Sequence, residues 1–306
     1  MSKLKILITG SNGLLGQKLV YGLRNNEQVE LIATARGENR VFEKTGYAYE
    51  SMDLTDADTV KSILEKHRPD CIIHTAAMTN VDACELDPAA CELQNVTAVK
   101  NLLVGCKSFA PHFIDISTDF VFNGEAGPYS EEDEVDPLSI YARSKVEAEK
   151  LVMHSGLKWA ILRTMIIYGV TDDVQRSNVI IWTKNSIEQG KEITVITDQF
   201  RGPTLAEDLA DACIQAALRK AEGIYHVSGR EVMPIIDISL AVAEYFGLDK
   251  SFIKPITTAA LNQPAKRPLK TGFIITKAER ELGYKPHSLK EGIAIIEEQM
   301  RTRGRL

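Results

Sequence analysis

Basic charge is in short supply: 36 Lys and Arg stand against 42 Asp and Glu, a net charge of −6 over 306 residues. Nucleic-acid surfaces are usually basic, so that class of main function is disfavoured, while a local basic pocket for a small anion is not. Long apolar runs are missing, and no stretch approaches the roughly 20 residues that span a bilayer. The opening run LKILIT is too short for a secretory leader and leads straight into a glycine turn, so it reads as a first core strand. Cysteine is sparse: Cys71, Cys84, Cys91, Cys106 and Cys213 form no CxxC pair and no disulfide-rich spacing. Cys84 and Cys91 could share a helical face, but without a His or Cys partner nearby they do not mark a metal site. Internal repeats and low-complexity linkers are absent too. A soluble, reduced, cytoplasmic protein is expected, with no nucleic-acid, membrane or metal partner.

What is present is an ample supply of core residues. The apolar set makes up 44% of the chain and charged residues 25%, enough for about two domains or one large domain with an extension. Short apolar runs alternate with amphipathic ones: LKILIT (4–9), VELIATA (29–35), YAYESMDL (47–54), DCIIHTAA (70–77), HFIDIST (112–118) and KWAILRT (158–164) read as strands. Between them lie helical patterns at 14–24, at 55–67 with Thr55 as a candidate cap, and at 88–110 as one long helix. Near-continuous apolar strands separated by helices imply a parallel sheet covered on both faces. Beyond residue 170, Pro203, Pro234, Pro255, Pro264 and Pro268 punctuate shorter elements, among them a helix at 207–221 and a strand at 223–229. The acidic run SEEDEVDP (130–137) reads as a solvated loop. The expected fold is α/β: a Rossmann-type doubly wound parallel sheet with a smaller, interleaved C-terminal substrate-binding domain. The first domain covers 1–170 plus about 205–228, and the second about 171–204 plus 229–306.

ITGSNGLLGQKL sets Gly10, Gly13 and Gly16 between the first strand and the first helix. Glycines permit the tight turn and close backbone approach, and the helix N-terminus offers N–H groups to a pyrophosphate. The spacing is GxxGxxG; alone it would be weak, but its place at the first strand–helix junction makes Gly10, Asn12, Gly13, Leu14, Leu15 and Gly16 the cofactor candidates. About 20 residues on, where the ribose is read, ATARGENR offers Arg36 and no acid before Glu38. A guanidinium suits a 2′-phosphate, which favours NADP(H). NAD(H) stays open, because a plain surface charge is the rival role of Arg36 and Glu38 could reach the site. Asp53, followed by Leu54, is a candidate for the adenine, with helix capping as its rival role.

The pair in YARSK, Tyr141 and Lys145, stands one helical turn apart. Such pairs are usually surface decoration; here a strand ending STD precedes it in a chain with a nucleotide turn. The segments HTAAMTNVDACE (74–85), STDFVFNG (117–124), PYSEEDEVDPLSIYARSK (128–145), LRTMIIYG (162–169), DQFRGPT (198–204) and KRPLKTGFIITKAERELGYKP resemble the extended short-chain dehydrogenase/reductase family. Within it the chain is most similar to the dTDP-4-dehydrorhamnose reductases. Two departures stand out: NGLLG where many of these reductases carry a glutamine, and an arginine inside the DQ-x-x-PT pattern.

The resemblance implies that Tyr141 donates the proton, Lys145 stabilises the phenolate and binds the nicotinamide ribose, and Thr118 positions the substrate oxygen. It implies that Asn95 helps hold the lysine and a relay water. A free tyrosine titrates near ~10, so a neighbouring cation is what makes it a usable acid near neutrality. Ala76 and Ala77 would let the cofactor approach the backbone, or simply pack. Thr118, Asp119, Val121, Tyr168, Asn178, Gln199, Arg201, Thr204 and Arg267 are the substrate candidates, Arg267 at the diphosphate. Core packing is the rival role of Tyr168, and an ordinary ion pair that of Arg201.

The implied reaction is reduction of a nucleotide-linked 4-keto-6-deoxy sugar. Two alternatives remain: a sugar-nucleotide epimerase or dehydratase, which generally needs a further acid/base that no Cys or Glu pair beside the 118 region marks, and a non-catalytic NADP-binding subunit like the methionine adenosyltransferase β subunit. A homodimer is compatible with either class.

Overall fold

A computed structural model describes residues 3–172 and 178–302. β1 (Leu4–Thr9), α1 (Leu14–Leu23), β2 (Val29–Ala35), β3 (Ala48–Ser51), α2 (Ala57–His67) and β4 (Cys71–His74) form the first half of the nucleotide-fold pattern. Then come α3 (Val81–Leu86), α4 (Pro88–Glu92), a π turn (Leu93–Thr97), α5 (Ala98–Cys106), β5 (His112–Thr118), a 3-10 turn (Asp119–Val121), α6 (Ile140–Met153) and β6 (Trp159–Thr164). The remainder runs β7 (Ile167–Tyr168), α7 (Val179–Glu188), β8 (Ile193–Ile196), β9 (Phe200–Arg201), β10 (Thr204–Leu205), α8 (Ala206–Arg219) and β11 (Gly223–His226). β12 (Met233–Pro234), α9 (Ile235–Tyr245), β13 (Ile253–Ile256), α10 (Thr258–Leu261), α11 (Thr276–Leu282) and α12 (Leu289–Thr302) complete it.

Seven strands make one sheet in the order β11-β6-β5-β4-β1-β2-β3, every neighbouring pair parallel. Alternation along β1 explains why both faces need helices. Ile6 and Ile8 enter a cluster with Leu19 and Leu23 of α1 and Leu209 and Cys213 of α8. Leu7, pointing the other way, joins Val60 and Leu64 of α2 and Val99 and Leu102 of α5. All three β1 side chains are fully buried, which favours the sheet by roughly 1.5–3 kcal/mol each. The strand order reverses between β1 and β4, the switch point at which doubly wound sheets hold ligands.

The C-terminal elements build cores of their own. Tyr168, Val170, Ile180, Ile238, Ile293 and Ile296 form one, and Ile187, Ile193, Val195, Ala243 and Ile253 another, the latter beneath the parallel β8–β13 pair. Gly292 of α12 lies directly on the Tyr168 ring: a Cβ there would stand 2.0 Å from the phenol oxygen.

Two local expectations change. The α2 cap is Asp56, whose carboxylate accepts from the Asp58 and Thr59 N–H groups, while Thr55 is turned back to Asp53. The pattern at 88–110 is three pieces ending at Cys106, because one extra residue is accommodated in the π turn.

Candidate active site

A cleft of about 650 Å³ runs along the carboxyl ends of β1 to β6, within the usual size of a ligand site. At its centre is the turn after β1. Gly10 has φ +72°, and a Cβ there would meet the Ala76 backbone nitrogen at 2.9 Å; a Cβ on Gly16 would meet the Gly10 oxygen at 2.3 Å. The glycines therefore let the turn, the β4 end and the first turn of α1 close on one another. No side chain caps α1, so the opening N–H groups of that helix, at residues lining the cleft, are available to an anion.

Asn12 organises the next portion. Its Nδ2 donates to the Glu38 carbonyl at 2.8 Å and its Oδ1 accepts from the Arg40 N–H at 2.8 Å, pinning the loop after β2. Arg36 and Arg40 both line the cleft; the Glu38 side chain is exposed and does not. Asp53 lies 4.0 Å from Arg36. Hydrogen bonds from the Thr55 N–H and hydroxyl, with Arg36 adding to them, hold its carboxyl below the usual range. Asp53 thus lines the cleft as a turn-bonded residue rather than as the α2 cap.

At the opposite end α6 presents Tyr141 and Lys145. The helix starts where it does because Ser139 accepts from the Ala142 N–H at 3.2 Å and Glu85 accepts from the Ile140 N–H at 3.0 Å. Tyr141 is nearly buried, with Phe120 edge-on to its ring at 6.0 Å. Burial pushes its phenol well above the ordinary range, a hydrogen bond with Thr118 pulls it down, and Asp119, Cys84 and Cys91 push it up. Lys145 donates to Asp115 at 3.4 Å, and both are buried. Thr118 itself bonds Asp119 at 3.2 Å. A protonated phenol, a hydroxyl and an ammonium thus meet at one end of a groove whose other end is cationic, an arrangement fit for proton transfer to a carbonyl oxygen.

The candidates Gly10, Asn12, Gly13, Leu14, Leu15, Gly16, Arg36, Asp53, Leu54, Ala76, Ala77, Thr118, Asp119, Tyr141 and Lys145 all line this cleft. Asn95 lies just behind it: in the π turn, it brackets Met78 through N–H and carbonyl and donates to Ser144 at 3.0 Å, so it braces the β4 loop and α6.

Other candidates are placed elsewhere, each for a packing reason. Val121 and Tyr168 are fully buried core residues. Asn178 caps α7 and donates to the Gly169 carbonyl at 2.6 Å. Gln199 bonds Thr258, and the Thr204 hydroxyl donates to the Met165 carbonyl. Arg201 is 1% exposed and does not meet the cleft; its Nε contacts Asp119 at 2.9 Å and its other nitrogens donate to the Phe200, Leu269 and Pro268 carbonyls. Arg267 forks onto Asp82 at 3.0 and 2.7 Å.

Sequence reasoning missed Arg40, whose signal was a second arginine four residues after the first. It also missed Asp115, a charge inside an otherwise apolar strand. Among the described residues no group of His, Cys, Asp or Glu could hold a metal ion, and no helix is long and apolar enough to cross a membrane.

The chain matches the RmlD substrate binding domain family over residues 4–302. It is 30% identical to the probable low-salt glycan biosynthesis reductase Agl14 of Haloferax volcanii, over 95% of this chain and 96% of that protein. It is 34% identical to the bovine (Bos taurus) methionine adenosyltransferase 2 subunit beta, over 86% of this chain and 78% of that protein. The crystal structure of dTDP-4-dehydrorhamnose reductase from Bacillus anthracis, a complex with NADP, superposes with a TM-score of 0.84 at 26% identity, covering 97% of this chain and 99% of that one.

Proposed function

The chain belongs to the RmlD substrate binding domain family, and on that premise we propose that it is an NADPH-dependent reductase of a nucleotide-linked 4-keto-6-deoxyhexose, most specifically dTDP-4-dehydrorhamnose. The observation that carries the reading is the convergence of Thr118, Tyr141 and Lys145 at one end of a cleft whose other end holds Arg36 and Arg40. Likeness to a reductase solved with NADP supports the cofactor.

The α1 N-terminus and the glycine turn would hold the cofactor diphosphate, Arg36 and Arg40 its 2′-phosphate, and Asp53 the adenine. When bound, NADPH supplies a hydride to the sugar C4. Thr118 Oγ1 orients the C4 oxygen. Tyr141 Oη gives its proton to that oxygen as negative charge develops there, and the Lys145 ammonium stabilises the phenolate left behind. A dehydratase, or an epimerase acting at the carbon beside the ketone, would need another acid/base beside the sugar. Asp119, the nearest carboxylate in sequence, is instead committed to Arg201 and Thr271.

A panel of dTDP-, UDP-, GDP- and CDP-linked 4-keto-6-deoxyhexoses, followed by loss of NADPH absorbance, tests the reading. Oxidation with the dTDP sugar is expected, and silence across the panel would sink it. The cofactor half has its own prediction. Arg36→Ala should weaken NADPH by about 10-fold or more, the weight of one charge-assisted hydrogen bond, while NADH changes little. Equal losses, read by fluorescence titration, would mean that Arg36 does not read the 2′-phosphate.

A second reading, a cofactor-binding regulatory subunit, draws on the likeness to methionine adenosyltransferase 2 subunit beta. It also draws on the Asp82–Arg267 ion pair, which occupies the arginine expected at the substrate diphosphate. Cofactor binding without turnover, together with copurification with a synthetase, would favour it.

A further inference from the structure

Lys145 has a buried counter-charge. Asp115 stands in the middle of the central strand β5, wholly inaccessible, with its Oδ2 on the Lys145 ammonium at 3.4 Å. Its Oδ1 has no hydrogen-bond partner among the described residues. A carboxylate in such a place is costly unless paired, so Lys145 and Asp115 hold each other in the interior. Burial pushes the Asp115 carboxyl up, and the Lys145 charge opposes that. In register beside it on β4 is His74, bonded to Thr9 at 2.7 Å. Burial, and secondarily Lys145, push His74 down to about 3, so it stays neutral and leaves Asp115 as the balancing charge.

We propose that Asp115 is a positioning residue for Lys145: from behind the cleft wall it anchors the ammonium and offsets part of the positive charge acting on the Tyr141 phenol. The proposal rests on the reading of Tyr141 as proton donor. Reduction requires that phenol to be protonated. A cation beside it favours the phenolate, and a carboxylate behind the cation weakens that effect. Asp115 therefore keeps Tyr141 protonated to higher pH and extends the alkaline range of the reduction.

The other charged and titratable groups on the elements packed against α6 are paired, buried or turned to solvent, Asp82 of α3 being held by Arg267 and Glu92 of α4 being exposed. From the 3-10 turn, Asp119 is engaged by Arg201. From β6, Arg163 is forked onto Glu149 of α6 itself. From α3, Glu85 bonds the Ile140 N–H, and the Cys84 thiol is pushed up to about 12 by burial. From α4, Cys91 contacts Ser144 at 3.3 Å. From α5, burial pushes Cys106 up to about 12, and Lys100 is exposed.

Asp115→Asn removes the charge and keeps an oxygen that can accept from Lys145. Tyrosinate absorbance after rapid pH jumps, recorded with NADP⁺ present, is compared between the native protein and the variant, each referenced to its own Tyr141→Phe counterpart. The Tyr141 midpoint is expected to fall by about one pH unit or more in the variant, and the alkaline limb of keto-sugar reduction to move the same way. Equal midpoints overturn the proposal, including the case in which Asp115→Asn only lowers stability and turnover. A moved midpoint in a protein that reduces no keto sugar keeps the pairing and removes the reductase reading instead. Asp115→Ser, which deletes the carboxylate without adding volume, supplies the same comparison should the amide fail to fold.

Discussion

Tyr141→Phe is expected to leave cofactor affinity nearly unchanged and to lower turnover of a keto-sugar nucleotide by at least ~100-fold, the low end for general acid catalysis. The ring loses only its oxygen. Its ring packs in one cluster with Cys84 and Cys91 and edge-on to Phe120, packing that phenylalanine can keep, and the phosphate turn lies at another part of the cleft. What disappears is the proton that burial holds on the phenol and that a neighbouring ammonium, in the proposed mechanism Lys145, makes transferable. Steady-state NADPH oxidation measures the loss, and quenching of NADPH fluorescence on binding measures the affinity. Full turnover in the variant would remove Tyr141 from the mechanism. A parallel collapse of binding would mean that the ring props the cleft open rather than serving as an acid.

Arg201→Ala is expected to cost about 3–5 kcal/mol of stability, the range for breaking a buried ion pair from one side. The side chain is almost completely enclosed, and its guanidinium satisfies a carboxylate and three backbone carbonyls at once. Alanine would strand Asp119 with only its Thr271 and Thr118 bonds and leave the Pro268 and Leu269 carbonyls without this donor. Urea denaturation monitored by circular dichroism reads the change. Pairing Arg201→Met with Asp119→Asn should recover part of it, because the uncompensated charge is then gone. A loss below about 1 kcal/mol, typical of exposed pairs, would show that the guanidinium is not the strut described here. Because Asp119 adjoins Thr118, this strut also joins strand β9 to the end of β5.

These two residues show what a sequence can and cannot reveal. Tyr141 was legible because its partners are local: Lys145 is one turn away and Thr118 ends the preceding strand. The strands at 4–9, 29–35 and 112–118 were equally legible, since a strand buried on both faces writes itself as a near-continuous apolar run. The partner of Arg201 was not, although an ion pair was one of its two readings, because that fate depends on whether a carboxylate 82 positions earlier turns toward it or toward solvent. Arg267 poses the same problem, with Asp82 as the distant partner. The π turn that carries Asn95 left no mark either, for a single extra residue in a helix hardly disturbs its periodicity. Asp115 did leave a sign, a carboxylate among Phe113, Ile114 and Ile116. Only the fold could pair it with a lysine on the next helix.

The notch that Gly292 cuts for the Tyr168 ring carries a lesson for chimaeras. Every side chain larger than hydrogen would collide with the aromatic group, so α12 and the segment after β6 are a lock and its key. Exchanging the final helix with that of a relative would succeed only if both members of the couple travelled together, however well the rest of the graft matched.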